Sequence, residues 1–92
     1  MLKPTQGSLD KLEELLNELL YKVRYEKGNF KSGACILLEH KVIVVNKFST
    51  IETKITALAE ILTQIEVDES ILLEKSRNFY RSLQQTKIQF ND

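Results

Sequence analysis

The sequence predicts an α+β fold in the order α-β-β-β-α-α, with a small three-stranded antiparallel sheet packed against helices. Leucine and isoleucine recur at helical spacing towards both ends of the chain, whereas residues 21–46 hold apolar runs and alternating charges. Gly, Asn and Ser cluster after the first of these middle segments, as in a turn. With 92 residues and no linker-like stretch, the chain is expected to form a single domain, residues 1–92.

The first predicted helix spans about Leu9 to Leu20. Ser8 is its candidate N-cap, because a serine hydroxyl can accept from the free N–H groups of the first turn. Asp10 follows in that turn, where the helix dipole favours a negative charge. The apolar stripe of this helix consists of Leu9, Leu12, Leu15, Leu16, Leu19 and Leu20.

Three strands are predicted next. Residues 21–26 alternate aromatic or β-branched residues with charges, which is typical of a half-buried strand. Residues 34–38 and 41–46 are apolar runs separated only by Glu39-His40, which indicates a hairpin with Cys35 opposite about Val44. Both hairpin strands are apolar on both faces, so each side of the sheet needs a cover. Helices of the chain can cover one side; the other needs the last helix, a second copy or a partner.

Two more helices follow. The second is predicted from a capping box in which Ser49 and Glu52 satisfy each other's backbone donors, with Phe48 as a hydrophobic staple. Its apolar stripe runs to near Glu66 and is formed by Ile51, Ile55, Leu58, Ile61, Leu62 and Ile65. The third helix is expected to begin at the cap Asp68 and to reach about residue 86, with Leu72, Phe79, Tyr80 and Leu83 facing inward.

Composition narrows the class of protein. Hydrophobic residues make up 42% and charged residues 28%, as in ordinary globular domains. No apolar run approaches the ~20 residues needed to cross a bilayer, and residues 1–7 lack the apolar core of a signal peptide. The single cysteine excludes an internal disulfide, so we expect a cytoplasmic protein without a membrane partner. A small core without cross-links favours a homodimer.

Side chains for catalysis and metal binding are nearly absent, since the chain has one cysteine and one histidine. Cys35 and His40 are separated by on the order of 15 Å along the predicted strand, too far for a nucleophile and its base. We expect a buried structural Cys35 and a solvated turn residue at His40. Zinc needs more ligands than these, and no phosphate-binding glycine motif occurs. No enzyme activity, metal or cofactor is predicted, although an enzyme using Glu26 and Glu39 alone stays open.

One segment resembles a known family. Val44-Val45-Asn46, a short turn and a capped helix with Thr56-Ala57-Leu58-Ala59-Glu60-Ile61-Leu62-Thr63 look like the strand-turn-helix core of minimal zincin-like metallopeptidases. In that family the helix carries His-Glu-x-x-His, in which two histidines bind zinc and the glutamate is the base. Glu60 matches the glutamate, whereas Ala59 and Thr63 stand at the histidine positions. The resemblance implies a scaffold without zinc or peptidase activity.

Charge is unevenly placed along the chain. The net charge is zero, but residues 22–47 carry +4 and each flank carries −2. A candidate binding loop in the basic segment consists of Arg24, Lys27, Gly28, Asn29, Phe30 and Lys31. Its glycines can equally serve a turn that needs positive φ. An anion- or nucleic-acid-binding module using residues 22–47 is the alternative function, although the zero net charge argues against a nucleic-acid partner.

The expected function is that of a small, non-enzymatic interaction or structural domain. It would associate with a second copy, or with another protein, through an apolar surface of the sheet or of the third helix. The candidate interface residues are Val42, Val44, Leu73, Phe79 and Tyr80. Whether the third helix packs on its own sheet or on a second chain is left open by the sequence.

Overall fold

A computed structural model describes residues 3–27 and 34–90, with side chains up to residue 84. This part of the chain forms an α+β fold, in which a three-stranded sheet packs on helices. In chain order the elements are α1 (Gln6–Glu18), β1 (Lys22–Glu26), β2 (Ala34–Leu37), β3 (Val42–Asn46), α2 (Ile51–Gln64) and α3 (Glu74–Phe90). The predicted order omits two short 3-10 helices, Leu38–His40 and Glu69–Ile71.

The sheet is mixed, so the prediction of a purely antiparallel sheet is wrong. The strand order is β1-β3-β2, with β1 parallel to β3 and β2 antiparallel to β3. Strand β3 is a run of β-branched residues from Val42 to Val45 and takes the central position, where it pairs on both sides. Strand β1 carries Lys22, Arg24 and Glu26 and takes an edge, where charged side chains remain solvated.

The hairpin between β2 and β3 has the predicted register, since Cys35 pairs with Val44. Its connection is longer than the predicted turn of Glu39 and His40. A 3-10 turn over Leu38–His40 is followed by Lys41 in the left-handed region, at φ 51°. A two-residue primed turn demands glycine or asparagine at its central positions. In the observed loop only Lys41 needs a positive φ, so no glycine or asparagine is required.

Helix α1 begins earlier than predicted, because Thr5 and not Ser8 is its N-cap. The Thr5 hydroxyl accepts from the Ser8 N–H, with 3.2 Å between Oγ1 and N. The helix ends at Glu18, and Leu20 then adopts φ 72°. The Tyr21 N–H donates to the Leu16 carbonyl at 2.9 Å, which closes the helix with a left-handed turn. Leu20 therefore leaves the predicted apolar stripe and is 68% exposed.

Helix α2 carries the predicted stripe, but its N-terminus differs. Thr50 is the N-cap and its Oγ1 accepts from the Thr53 N–H at 3.1 Å. The predicted capping box centred on Ser49 is thus displaced by one residue. Phe48 is 69% exposed and does not act as a buried staple. The buried residues of α2 are Ile55, Ala57, Leu58, Ile61 and Leu62.

Helix α3 begins later than predicted. Asp68 caps the 3-10 turn Glu69–Ile71 by accepting from the Ser70 N–H at 3.0 Å, and α3 follows from Glu74. Helix α3 packs against α1 of its own chain. Leu72 is buried, and Phe79 and Tyr80 are half-buried against the core.

One face of the sheet is covered by helices. Helices α1 and α2 pack side by side, with α1 against β1 and α2 against β2. Ile43 and Val45 of the central strand are fully buried in this layer. The leucines that complete its centre are Leu12, Leu15, Leu16 and Leu58. In the described ranges no helix is both long and apolar enough to span a membrane.

Candidate interaction surface

The strand pairing divides the sheet into two faces. Residues that pair across neighbouring strands point to the same side, and successive residues alternate. Ile43 and Val45 point towards the helices, so Val42 and Val44 point to the opposite, outer face. Their partners on β2, Leu37 and Cys35, share that outer face. We call these residues the outer strip: Cys35, Leu37, Val42 and Val44.

The outer strip is apolar, and its exposure increases towards strand β2. Val44 is 9% exposed but does not belong to the core cluster beneath the sheet. Val42 is half-buried, Leu37 is 46% exposed and Cys35 is exposed. Leu37 is a large apolar side chain on the exposed part of this face, whereas an antiparallel pair normally alternates apolar residues on the inside with polar residues on the outside. The strip is therefore a candidate contact surface.

Charged residues flank the outer strip on β1. Lys22 pairs with Val42 and Arg24 pairs with Val44, so both side chains lie on the outer face. Arg24 forms an ion pair with Glu26, two residues further along the same face, at 2.8 Å. Because both side chains are about half exposed, the pair contributes less than about 1 kcal/mol to stability. The pair places one positive and one negative charge beside the outer strip.

Two more exposed leucines lie at one end of the sheet. Leu20 precedes β1 and is 68% exposed, and Leu38 follows β2 and is 62% exposed. Both turns lie at the same end, because the Lys22 N–H donates to the Lys41 carbonyl at 2.8 Å. Leu20 and Leu38 therefore lie at the same end of the sheet as Leu37 and Val42.

The predicted interface residues fall into two separate groups. Val42 and Val44 lie on the outer face, whereas the other members belong to the helical layer on the opposite side. Leu73 precedes α3 and is 64% exposed, while Phe79 and Tyr80 pack partly against the core. A single flat partner cannot contact both groups at once. The sequence pattern predicted Val42 and Val44 of the outer face as interface residues. It did not predict Leu37, which pairs with Val42 in the sheet.

The predicted binding loop is only partly within the described residues. Arg24 lies on β1 in its ion pair with Glu26, and Lys27 is exposed just after the strand. The remaining members, Gly28, Asn29, Phe30 and Lys31, lie outside the described residues.

Tyr25 of β1 anchors the strand to α1 instead of facing solvent. Its hydroxyl donates to the Glu13 carboxylate, with 2.6 Å between Oη and Oε2. Burial, followed by this hydrogen bond to Glu13, raises the pKa of the Tyr25 hydroxyl above its ordinary value of 10.0. The Lys54 ammonium lies 5.3 Å from the centre of the Tyr25 ring. The ring therefore belongs to the packing of the sheet on the helices.

Cys35 and His40 occupy different surroundings. Cys35 is exposed, so the prediction of a buried structural thiol is wrong; β2 is an edge strand and Cys35 points to the outer face. His40 is exposed in the 3-10 turn, as predicted. Among the described residues no group of three or more His, Cys, Asp or Glu is placed to hold a metal ion.

A second feature is a groove between β2 and α2. It encloses about 290 Å³ and is lined by Ala34, Cys35, Ile36, Ala57, Glu60, Ile61 and Gln64. A neighbouring depression of about 380 Å³ shares Ala57 and Glu60 and extends the groove along α2 to Glu52. Glu60, the residue matched to the zincin glutamate, thus lies in this groove. Ala59 and Thr63, at the histidine positions of that motif, offer no imidazole.

Comparisons with protein-family models, with curated proteins and with solved structures find no match for this chain.

Proposed function

We propose that this protein is a small, non-enzymatic interaction domain, and that two copies associate by stacking the outer faces of their sheets. The observation that carries the proposal is the one-sided covering of the sheet. Helices α1 and α2 pack on the inner face, and α3 packs on α1. Outside this helical layer, Leu37 and Cys35 of the outer strip remain exposed.

A second copy suits this face because the surface complements itself. In a two-fold interface the same patch serves both partners. The apolar strip of one copy would then meet the strip of the other. The Arg24–Glu26 pair on the flank supplies one charge of each sign, so each copy can offer an opposite charge to its partner.

The energetic gain comes from the exposed members of the strip. Fully burying a large apolar side chain contributes roughly 1.5–3 kcal/mol, and Leu37 begins 46% exposed. A standard interface needs about 800 Å² from each partner, roughly an eighth of the 6328 Å² surface of this chain. The strip alone is smaller than that. The proposed interface therefore includes Leu20 and Leu38 at the adjoining end of the sheet.

An anion- or nucleic-acid-binding module is the alternative function. Lys22, Lys27 and Lys41 are exposed and would supply its positive charge. Two contacts reduce its support: Glu26 balances Arg24, and the Tyr25 ring packs towards α1 instead of offering a stacking surface. Binding through this segment would weaken as salt rises, whereas apolar stacking would not.

The deciding experiment is solution mass by size-exclusion chromatography with light scattering over a concentration series. The wild-type chain is expected to pass from monomer to dimer. Leu37→Arg places a charge in the strip and should hold the chain as a monomer. Leu73→Arg is the matched control, since Leu73 is similarly exposed but lies in the helical layer. Circular dichroism of both variants establishes that they are folded.

Two outcomes of this experiment would overturn the proposal or its arrangement. A wild-type chain that stays monomeric at high concentration overturns self-association. A dimer lost in Leu73→Arg but kept in Leu37→Arg assigns the interface to the helix surface and overturns the outer-face arrangement.

A further inference from the structure

The groove between β2 and α2 opens on the helical side of the sheet. Ile36 of its lining pairs with Ile43, so it lies on the inner face, opposite the face proposed for stacking. The groove encloses about 290 Å³, which is close to the lower end of the roughly 300–1,000 Å³ of small-molecule pockets. Its size therefore suits a small ligand.

The floor of the groove is apolar, and it stays open because one helix residue is small. Ile36 of the strand is half-buried and Ile61 of α2 is buried, and both line the groove. Ala57 lies one turn before Ile61 on the same face of α2, and it lines both the groove and the adjoining depression. A larger side chain at this position would occupy part of the groove.

The rim carries a carboxylate that has no cationic partner. Glu60 is exposed, and no described lysine or arginine forms an ion pair with it or lines the groove. Gln64 follows four residues later on the same side of α2 and also lines the groove. Its amide oxygen is a second acceptor. The rim can thus accept hydrogen bonds from a cationic donor.

The end of α2 favours a cation at the same place. The helix ends at Gln64, and the next residue, Ile65, is extended. The last carbonyl groups of a helix have no partner within the helix, and the helix dipole is negative at this end. Glu60 and Gln64 flank this last turn. The charge of the Glu60 carboxylate and the dipole of the helix therefore act in the same direction.

We infer that the groove binds a small primary amine with an aliphatic tail. The ammonium group would donate to the Glu60 carboxylate and to the Gln64 amide oxygen, and the tail would pack against Ile36 and Ile61. The tail contacts side chains only, so binding needs no free backbone group on β2. An anionic ligand of the same size would meet the like charge of Glu60, which disfavours it.

The test is an NMR titration of the full chain with n-hexylamine at neutral pH. Saturable shifts are expected at the methyl groups of Ile36 and Ile61 and at the amide of Gln64. Hexan-1-ol has the same tail without the charge and should bind about fivefold more weakly, as expected for one exposed charge pair. Hexanoate should bind more weakly still, because its charge is repelled by Glu60.

Two variants test the two halves of the site. Glu60→Gln keeps the size of the side chain and should reduce the affinity for n-hexylamine to that for hexan-1-ol. Glu14→Gln makes the same charge change on the exposed side of α1 and should bind as the wild type does. Ala57→Leu fills the floor and should lose both ligands, with circular dichroism to establish that it is folded. Since Glu60 is exposed, its variant decides the question even where Ala57→Leu does not fold.

Equal binding of the three hexyl compounds, or an unchanged preference for the amine in Glu60→Gln, overturns the proposal. Shifts confined to Leu20, Leu37 and Leu38 also overturn it, since adsorption to exposed leucines would then explain the binding. Nα-acetyl-lysine amide carries the same ammonium on a tail that ends in polar groups. If it binds more tightly than n-hexylamine, the site belongs to a lysine of a partner protein and not to a free amine. None of these results depends on the mass of the Leu37→Arg variant.

Discussion

Glu18 at the end of α1 accepts a hydrogen bond from Ser76 of α3, with 2.5 Å between Oε2 and Oγ. The other carboxylate oxygen of Glu18 accepts from the Leu73 N–H at 2.8 Å. One side chain of α1 thus binds both the residue that precedes α3 and the first turn of α3. A carboxylate at this position is also favoured by the dipole of α3. The two partners are 58 positions apart in the sequence, so this contact fixes the third helix to the first.

Glu18→Ala is expected to destabilise the fold by about 1–2 kcal/mol, because the half-buried contact loses its acceptor. Urea denaturation followed by circular dichroism measures the change. Glu14→Ala on the exposed face of the same helix is the matched control and should lie within about 0.5 kcal/mol of the wild type. Equal stability of the two variants would show that Glu18 does not hold α3.

Tyr25 should make the stability of the protein fall in alkaline solution. Burial and the hydrogen bond to Glu13 raise the pKa of its hydroxyl in the folded state. Above the ordinary tyrosine pKa of about 10, the unfolded chain loses this proton while the folded chain keeps it, so stability decreases as pH rises. Tyr25→Phe should flatten this decline in denaturation series from pH 8 to 11. A decline of unchanged slope in the variant would exclude Tyr25 as its source.

Cys35 offers a native probe of the proposed stacking, since its thiol is exposed on the outer strip. Its rate of alkylation by iodoacetamide should fall as protein concentration rises through the monomer–dimer transition. In Leu37→Arg the rate should stay constant over the same range. If mass doubles in the wild type while the rate does not change, the interface lies elsewhere on the molecule.

Leu20 is expected to be a site where glycine stabilises the fold. Its φ of 72° lies in the left-handed region, which costs a non-glycine residue roughly 1–2 kcal/mol, and its side chain is 68% exposed. After allowing for the extra entropy of glycine in the unfolded chain, Leu20→Gly should gain about 0.5–1 kcal/mol. Leu20→Ala keeps the Cβ atom and serves as the control in thermal denaturation. A gain of the same size in the alanine variant would assign the effect to the lost leucine side chain.

The sequence predicts correctly those elements that depend on residues close to one another in the chain. The stripe of α2 follows from its repeating spacing, and Ile55, Leu58 and Leu62 are buried as expected. The pairing of Cys35 with Val44 follows from the short separation of the two hairpin strands. The helix N-termini were displaced because neighbouring residues compete as caps: Thr5 precedes Ser8, and Thr50 follows Ser49.

The partner of β1 could not be read from local patterns. The alternation of apolar and charged residues in residues 21–26 predicts a strand and shows which of its faces is buried. It does not show which other strand pairs with it, because any strand of similar length could do so. The parallel pairing with β3 depends on which strand occupies the centre of the sheet.

The candidate surface could not be predicted from local patterns either. An apolar strand predicts two buried faces, whereas only the assembled helical layer shows which face is covered, and therefore where Leu37 and Cys35 are exposed.

The charged edge strand β1 also bears on fibril formation. A sheet can grow by adding one molecule after another at its edges, because each added strand presents unpaired backbone groups to the next. Strand β1 places Lys22, Arg24 and Glu26 at one edge of this sheet. Another strand could pair there only by crowding these charges, so growth of the sheet on this side is disfavoured.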